Sequence, residues 1–148
     1  MGEDSVKPFL LKDKWAILLA LTSNKGSQDF QFISSAANGR PLYEEVITKS
    51  QAWGSPDELM YVVGATQGDR ISAIRNLAPE HFFLIPGIGA QGGDLELVAN
   101  AMNRQCGLIV NSARSIIYAS DGVDFADRAR KEAQLIRANM YKLLQQIP

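Results

Sequence analysis

Four short apolar runs punctuate the chain: Trp15 to Leu21, Leu59 to Ala65, Phe82 to Ile85 and Cys106 to Val110. None alternates with polar residues. Continuous runs of this length, rich in Val, Ile, Leu and aromatics, predict strands covered on both faces, as in parallel sheets. The segments between them carry helical spacing instead. Leu42, Val46 and Trp53, with the Tyr43/Ile47 pair, follow Pro41 and stop at Gly54, with Pro56 just beyond. Ile71, Ile74 and Ala78 form the next stripe, behind Asp69 and before Pro79. Leu95, Val98 and Met102 follow Asp94, a residue suited to capping a helix N-terminus. The clearest stripe comes last, where Phe125, Ala129, Ala133, Ile136, Met140 and Leu144 keep one face after Asp124.

The order is strand then helix, four times over, behind a short helical lead-in at about Ser5 to Leu10. This predicts an α/β chain of four βα units with parallel strands, because handed crossovers make consecutive strands parallel neighbours. No linker divides residues 1–148, so one domain, or part of one, is expected. The segment from Asn24 to Arg40 is long, polar and Gly-containing, as functional loops often are.

Composition narrows the function classes. With 46% hydrophobic residues and a formal charge of −1, the 148 residues can bury a core. No stretch approaches a membrane-spanning length and the N-terminus lacks the regions of a signal peptide, so a cytoplasmic protein with no membrane partner is expected. The fifteen basic residues are scattered among sixteen acidic ones, which argues against a nucleic-acid-binding face. Cys106 is the single cysteine and His81 the single histidine, excluding an intrachain disulfide and a Cys/His zinc site. Carboxylate-bound magnesium stays open. Cys106 sits in an apolar run with no histidine near it in sequence, and reads as a buried, unreactive thiol; His81, opening another run, reads as a surface residue at a strand end.

The stretch richest in chemistry is Phe83-Leu84-Ile85-Pro86-Gly87-Ile88-Gly89-Ala90-Gln91-Gly92-Gly93-Asp94, which leaves a strand, turns on four glycines and enters a helix. Such a turn bares backbone N–H groups, and the following helix start favours an anion. Gly87, Gly89 and Gly92 spell G-x-G-x-x-G, yet the next strand ends in Val110-Asn111-Ser112 where a dinucleotide site would need an acidic residue. A dinucleotide site and a purely structural turn are the alternatives to a phosphate site. Immediately downstream, Asn111-Ser112-Ala113-Arg114-Ser115 brings a cation to the end of the fourth strand. A planar guanidinium can hold two phosphate oxygens at once, and paired loops after the last two strands of (β/α)-barrels commonly build a phosphate site. Taken singly, Arg114 could equally serve a surface ion pair.

Pro86-Gly87-Ile88-Gly89-Ala90-Gln91-Gly92-Gly93-Asp94 together with Ala113-Arg114-Ser115-Ile116 resembles the paired phosphate loops of the orotidine 5'-phosphate decarboxylase family. Leu21-Thr22-Ser23-Asn24 with Asp29-Phe30-Gln31, and the segment Met1 to Phe9, are similar to its type 2 branch. The resemblance covers almost the whole chain. It implies the C-terminal half of a TIM (β/α)8 barrel, substrate phosphate held by Gln91, Gly92, Ala113 and Arg114, and a hydrogen bond from Ser23 to the pyrimidine ring. It also implies the conversion of orotidine 5'-monophosphate to UMP and CO2 without cofactor or metal, in an enzyme whose full-length form is a homodimer. Many members have Gly where this chain has Ala113.

The larger departure is an absence. The family's chemistry depends on a D-x-K-x-x-D segment, whose lysine protonates the carbanion left at C6, and this sequence contains no such segment. Lys12-Asp13-Lys14 lacks the spacing, and Lys25 lies in a polar loop. No catalytic residue is therefore expected in this chain, and the piece by itself is expected to be inactive. A barrel of this kind needs about 250 residues and eight strands. The resemblance makes Met1 an internal methionine and the chain strands five to eight. Half of another phosphate-binding barrel enzyme, or a non-catalytic phosphate-binding remnant, are the competing readings.

Overall fold

A computed structural model describes residues 2–89, 94–99, 101–103 and 106–146. The chain opens with the one-turn helix α1 (Glu3–Val6) and a 3-10 turn at Lys7–Phe9, where the sequence predicts its helical lead-in. Strand β1 (Ala16–Leu21) follows, then the short α2 (Ser27–Phe30) and α3 (Leu42–Ser50). Next come β2 (Leu59–Val63), α4 (Gly68–Leu77) and β3 (Phe83–Pro86). The chain closes with α5 (Leu95–Ala99), β4 (Leu108–Asn111), α6 (Arg114–Ile117) and the long α7 (Phe125–Leu144). The strands form one parallel sheet in sequence order, β1-β2-β3-β4. Each apolar run became a strand, with ends shifted by at most two residues: β3 and β4 each run one residue further, to Pro86 and Asn111.

Register assigns the two faces. Ile17 pairs with Met60, Leu19 with Val62, Val62 with Leu84 and Leu84 with Ile109, so these side chains share one face, called inner below. Leu18, Tyr61, Phe83 and Leu108 line up on the other. That outer face is the core: Tyr61, Val63, Phe83 and Ile85 pack against Ile47 of α3, Ile71 and Ile74 of α4 and Val98 of α5, all fully buried. The hydroxyl of Tyr61 lies 2.8 Å from Ser50 Oγ, which itself donates to Val46 O at 2.7 Å, so these two buried hydroxyls are paired.

Several expectations need correction. The strands are not covered on both faces, because Ile17 (48% exposed), Leu19 (60%) and Ile109 (45%) stand open on the inner face and the helices cover only the other. On α3 the buried positions are Tyr43, Glu45, Ile47 and Ser50; Leu42 is exposed, and the helix ends before Trp53. The stripe of α7 is real in spacing, yet none of its residues is buried. The segment from Asn24 to Arg40, expected as a long polar loop, carries structure of its own. It holds α2 and an antiparallel bridge between Ser34 and Pro41, and the Phe32 ring stacks edge-on with Tyr43 while the Arg70 guanidinium lies 4.8 Å above it.

His81 is the plainest correction, being only 4% exposed. It stands just before β3, tilted against the Tyr61 ring at 5.2 Å, because Arg75 closes this end of the molecule over it. Arg75, itself 5% exposed, lies 3.8 Å above the Phe83 ring. Its guanidinium donates to the carbonyls of Ala78 (3.0 Å), His81 (2.6 Å) and Ala101 (2.7 Å), tying the end of α4 to the segments entering β3 and leaving α5. Cys106 lies beside it, buried as expected, and burial pushes its thiol above the usual range while the Arg75 charge works the other way.

Candidate functional site

Parallel strands deliver all their C-terminal ends to one rim, and Ser23, Ala113 and Arg114 lie along it. The first is Ser23, two residues past β1. Its backbone is held on several sides. The Thr22 N–H donates to Gln31 Oε1 at 2.8 Å and the Gln31 amide donates back to Thr22 Oγ1 at 3.0 Å. Gln67 Nε2 donates to Thr22 O at 3.1 Å, and Thr66 Oγ1 to Ser23 O at 3.2 Å. Three side chains from two later loops thus fix the exit of β1, leaving the half-buried Ser23 hydroxyl with one long donation, 3.4 Å, to Pro86 O.

That contact spans a neighbouring strand, and Gly64 is what permits it. Gly64 follows β2 and donates its N–H to Leu21 O at 2.8 Å. A Cβ at this position would collide with Ser23 Oγ and stand 2.5 Å from Ser23 N. With hydrogen in place of a side chain, the exits of β1 and β3 approach each other across β2.

Pro86 begins the Gly-rich turn. Gly87 and Gly89 both adopt positive φ, 98° and 80°, the conformation for which the sequence supplies glycine. Ser112 Oγ reaches over from the exit of β4 to donate to Ile88 O at 3.0 Å and lies 2.6 Å from Ser115 Oγ. A Cβ on Gly89 would come within 3.1 Å of the same Ser115 hydroxyl. The two loops are therefore in direct contact. Ala113 and Arg114 lie between those serines, at the start of α6, and both are exposed. The first N–H groups of a helix have no partner within it. Among the described residues no carboxylate pairs with the Arg114 guanidinium.

Ser23, the described part of the Gly-rich turn and the Ala113–Arg114 pair are thus joined in one run of contacts along the rim. Gln91 and Gly92, expected in the phosphate grip, lie outside the described residues. On the far side of the turn, Asp94 caps α5 as predicted, accepting from the N–H of Glu96 at 2.8 Å and of Leu97 at 3.4 Å. Gly64, Gln67 and Thr66 escaped sequence reading. A glycine directly after an apolar run signals close approach, but which residue approaches is decided by the fold. Among the described residues no group of three His, Cys, Asp or Glu side chains could hold a metal, and no helix is long and apolar enough to cross a membrane.

No family model matches the chain. Curated relatives do: it is 57% identical over 146 residues to the orotidine 5'-phosphate decarboxylase of Phocaeicola vulgatus, covering 97% of this chain and 53% of that protein. It is 50% identical to the protein of the same name from Flavobacterium johnsoniae, again over 97% of this chain and 53% of the relative. Among solved structures, Leishmania donovani UMP synthase superposes with a TM-score of 0.76 at 36% identity, over 93% of this chain and 31% of that one. Leishmania donovani OMP decarboxylase gives 0.74 at 33% identity, over 93% and 53%. The four βα units therefore correspond to half of a (β/α)8 barrel, and the chain, spanning about half the length of the curated relatives it matches, belongs to the orotidine 5'-phosphate decarboxylase family.

Proposed function

We propose that this chain supplies the substrate-holding half of an orotidine 5'-monophosphate decarboxylase. In this reading Arg114, Gln91, and the backbone around Gly92 and Ala113 hold the 5'-phosphate, while Ser23 hydrogen-bonds the pyrimidine. The reaction releases the C6 carboxylate as CO2, and the carbanion takes a proton from a lysine in a D-x-K-x-x-D segment that this sequence lacks, giving UMP. No cofactor takes part. The half described here acts on the reacting carbon from a distance: gripping the phosphate orients the ring, so remote binding energy is expressed as rate. The observation that carries this reading is the direct contact of the two loops, Ser112 against Ile88 and Ser115, which sets the Arg114 turn beside the Gly-rich turn.

The test is complementation. The half of the Phocaeicola vulgatus relative that this chain does not span, added as a separate polypeptide, is expected to restore orotidylate consumption that neither piece shows alone. In the restored enzyme Arg114→Ala removes charge-assisted hydrogen bonds worth about 1.5–3 kcal/mol each, a loss of roughly 10–150-fold in kcat/KM per bond for the phosphorylated substrate. Orotidine, which has no phosphate, is expected to be consumed at an unchanged rate. Equal losses for both substrates would remove Arg114 from the phosphate site.

A further inference from the structure

A serine that meets a substrate ring must keep its backbone still while its hydroxyl stays free to turn. The Ser23 hydroxyl has that freedom, since its donation to Pro86 O is long, at 3.4 Å. The backbone beneath it is held from outside. The Gln31 carboxamide grips Thr22 at two points: Oε1 accepts the Thr22 N–H at 2.8 Å, and Nε2 donates to Thr22 Oγ1 at 3.0 Å. Thr22 O accepts from Gln67 at 3.1 Å and Ser23 O from Thr66 at 3.2 Å. Resting on the reading of Ser23 as the pyrimidine contact, we propose that Gln31 is the positioning residue for Ser23 and that the segment from Asn24 to Arg40 serves to hold Gln31 in place.

A glutamine on an unanchored loop would have to give up backbone and rotamer freedom to make such a grip, and the grip would be weak. Here the loop is fastened before the side chain reaches out. Gln31 N donates to Ser27 O at 2.9 Å, closing α2, and Gln31 O accepts from Tyr43 N at 3.1 Å in the first turn of α3. Ile33 O accepts from Leu42 N at 2.9 Å, and Ser34 bridges to Pro41 just beyond. Between these ties the Phe32 ring meets the buried Tyr43 edge-on at 5.6 Å. Tyr43 and Ile47 place α3 in the hydrophobic core, so a continuous run of bonds leads from the core through Gln31 and Thr22 to Ser23. The chemistry of the grip is specific. Glutamate at position 31 keeps acceptors of the same reach for the Thr22 N–H and hydroxyl, whereas methionine keeps the length but no comparable acceptor.

The test compares Gln31→Met, Gln31→Glu, Ser23→Ala and the double substitution Gln31→Met with Ser23→Ala, each in the enzyme restored with the other half of the Phocaeicola vulgatus relative. Gln31→Met is expected to lower kcat/KM roughly 2–10-fold, about the worth of one hydrogen bond to the ring. The factor is the same for orotidylate and for orotidine, because the defect lies at the ring and not at the phosphate. Gln31→Glu recovers most of the loss. In the Ser23→Ala background Gln31→Met adds nothing further, since no hydroxyl is left to position. Fully additive losses would make Gln31 a structural residue and overturn the proposal. A Gln31→Met enzyme as fast as the parent, beside a slowed Ser23→Ala, would overturn it too while leaving the pyrimidine contact standing. Ser23→Ala at the parental rate would remove that contact, and the positioning role with it. The chain by itself supplies a readout that needs no turnover: the Thr22 and Ser23 amides exchange faster in Gln31→Met and recover in Gln31→Glu, while those of β2 and β3 hold. Unmoved Thr22 and Ser23 amides would overturn the proposal.

Discussion

Gly64→Ala isolates the close approach on which the rim depends. Gly64 has φ −65° and ψ 136°, extended backbone that alanine adopts freely, so the substitution brings no conformational strain. It brings a collision. The new methyl would overlap Ser23 Oγ and stand 2.5 Å from Ser23 N and 2.8 Å from the carbonyl carbon of Thr22, whereas carbon contacts settle at about 3.5–4.0 Å. The exit of β1 must therefore retreat by about 1 Å, against the hydrogen bonds from Gln31, Gln67 and Thr66 that hold it. Overpacking of this kind costs about 1–3 kcal/mol, and the stiffer unfolded chain returns about 0.4–1 kcal/mol. The net, about 0.5–2 kcal/mol, corresponds to a fall in Tm of about 2–6 °C for a chain of this size. Thermal unfolding by circular dichroism reads the stability, and amide chemical shifts of Thr22 and Ser23 read the displacement. Gly39→Ala is the control: at φ +72° with nothing within 4 Å of its Cβ, it carries strain without collision and leaves those shifts alone. A Gly64→Ala protein at least as stable as the parent, with unmoved Thr22 and Ser23 amides, would refute the packing argument.

The opposite end of the sheet yields three more predictions. Burial lowers the pKa of His81; the Glu80 charge pulls it partly back up, and the Arg75 charge adds a smaller push down. The folded protein therefore holds His81 neutral while the unfolded chain takes up a proton below about pH 6.5, so stability falls as pH drops through that value and levels off below the depressed folded pKa. His81→Phe should flatten the acid limb of a urea-midpoint versus pH curve; an unchanged limb would clear His81 of the effect. Arg75→Met strands the carbonyls of Ala78, His81 and Ala101, and should cost at least about 2 kcal/mol in urea unfolding. Tyr61→Phe removes the short bond to Ser50 and a long one, 3.4 Å, to Ile47 O, and should cost about 1 kcal/mol, read in the same way.

The strands were legible because a run such as Leu59-Met60-Tyr61-Val62-Val63 has one stable use in an α/β chain, and the order of the runs fixed their pairing. The Gly-rich turn was legible because positive φ at Gly87 and Gly89 demands glycine. Burial on the two faces was not, since an apolar residue on the inner face reads identically whether or not anything covers it. His81 was misplaced for a related reason. A histidine opening an apolar run looks like a strand end meeting water, and nothing local announces that Arg75, six residues earlier, folds back across it. Gln31 and Gln67 were silent as polar loop residues, because their meaning lies in Thr22, nine and 45 residues away.

The two ends of the sheet manage their polar groups in opposite ways, and the contrast bears on where binding can occur. At the end where the strands begin, Arg75 spends its donors on main-chain carbonyls and is 5% exposed, so its charge is committed to holding α4, α5 and β3 together. At the end where the strands finish, polar atoms within each loop are satisfied by the next loop, Gln31 on Thr22 and Ser112 on Ile88, while the Arg114 charge stays exposed with no carboxylate among the described residues to neutralise it. A guanidinium left uncompensated beside loops tied to each other through Ser112, Ile88 and Ser115 loses little on meeting an anion, because no ion pair among the described residues must break. The same arrangement makes the rim rather than the buried cluster the place where substitutions should separate binding from stability. Arg75→Met must unfold the chain more easily whatever ligand is present, whereas Arg114→Ala should leave unfolding almost untouched.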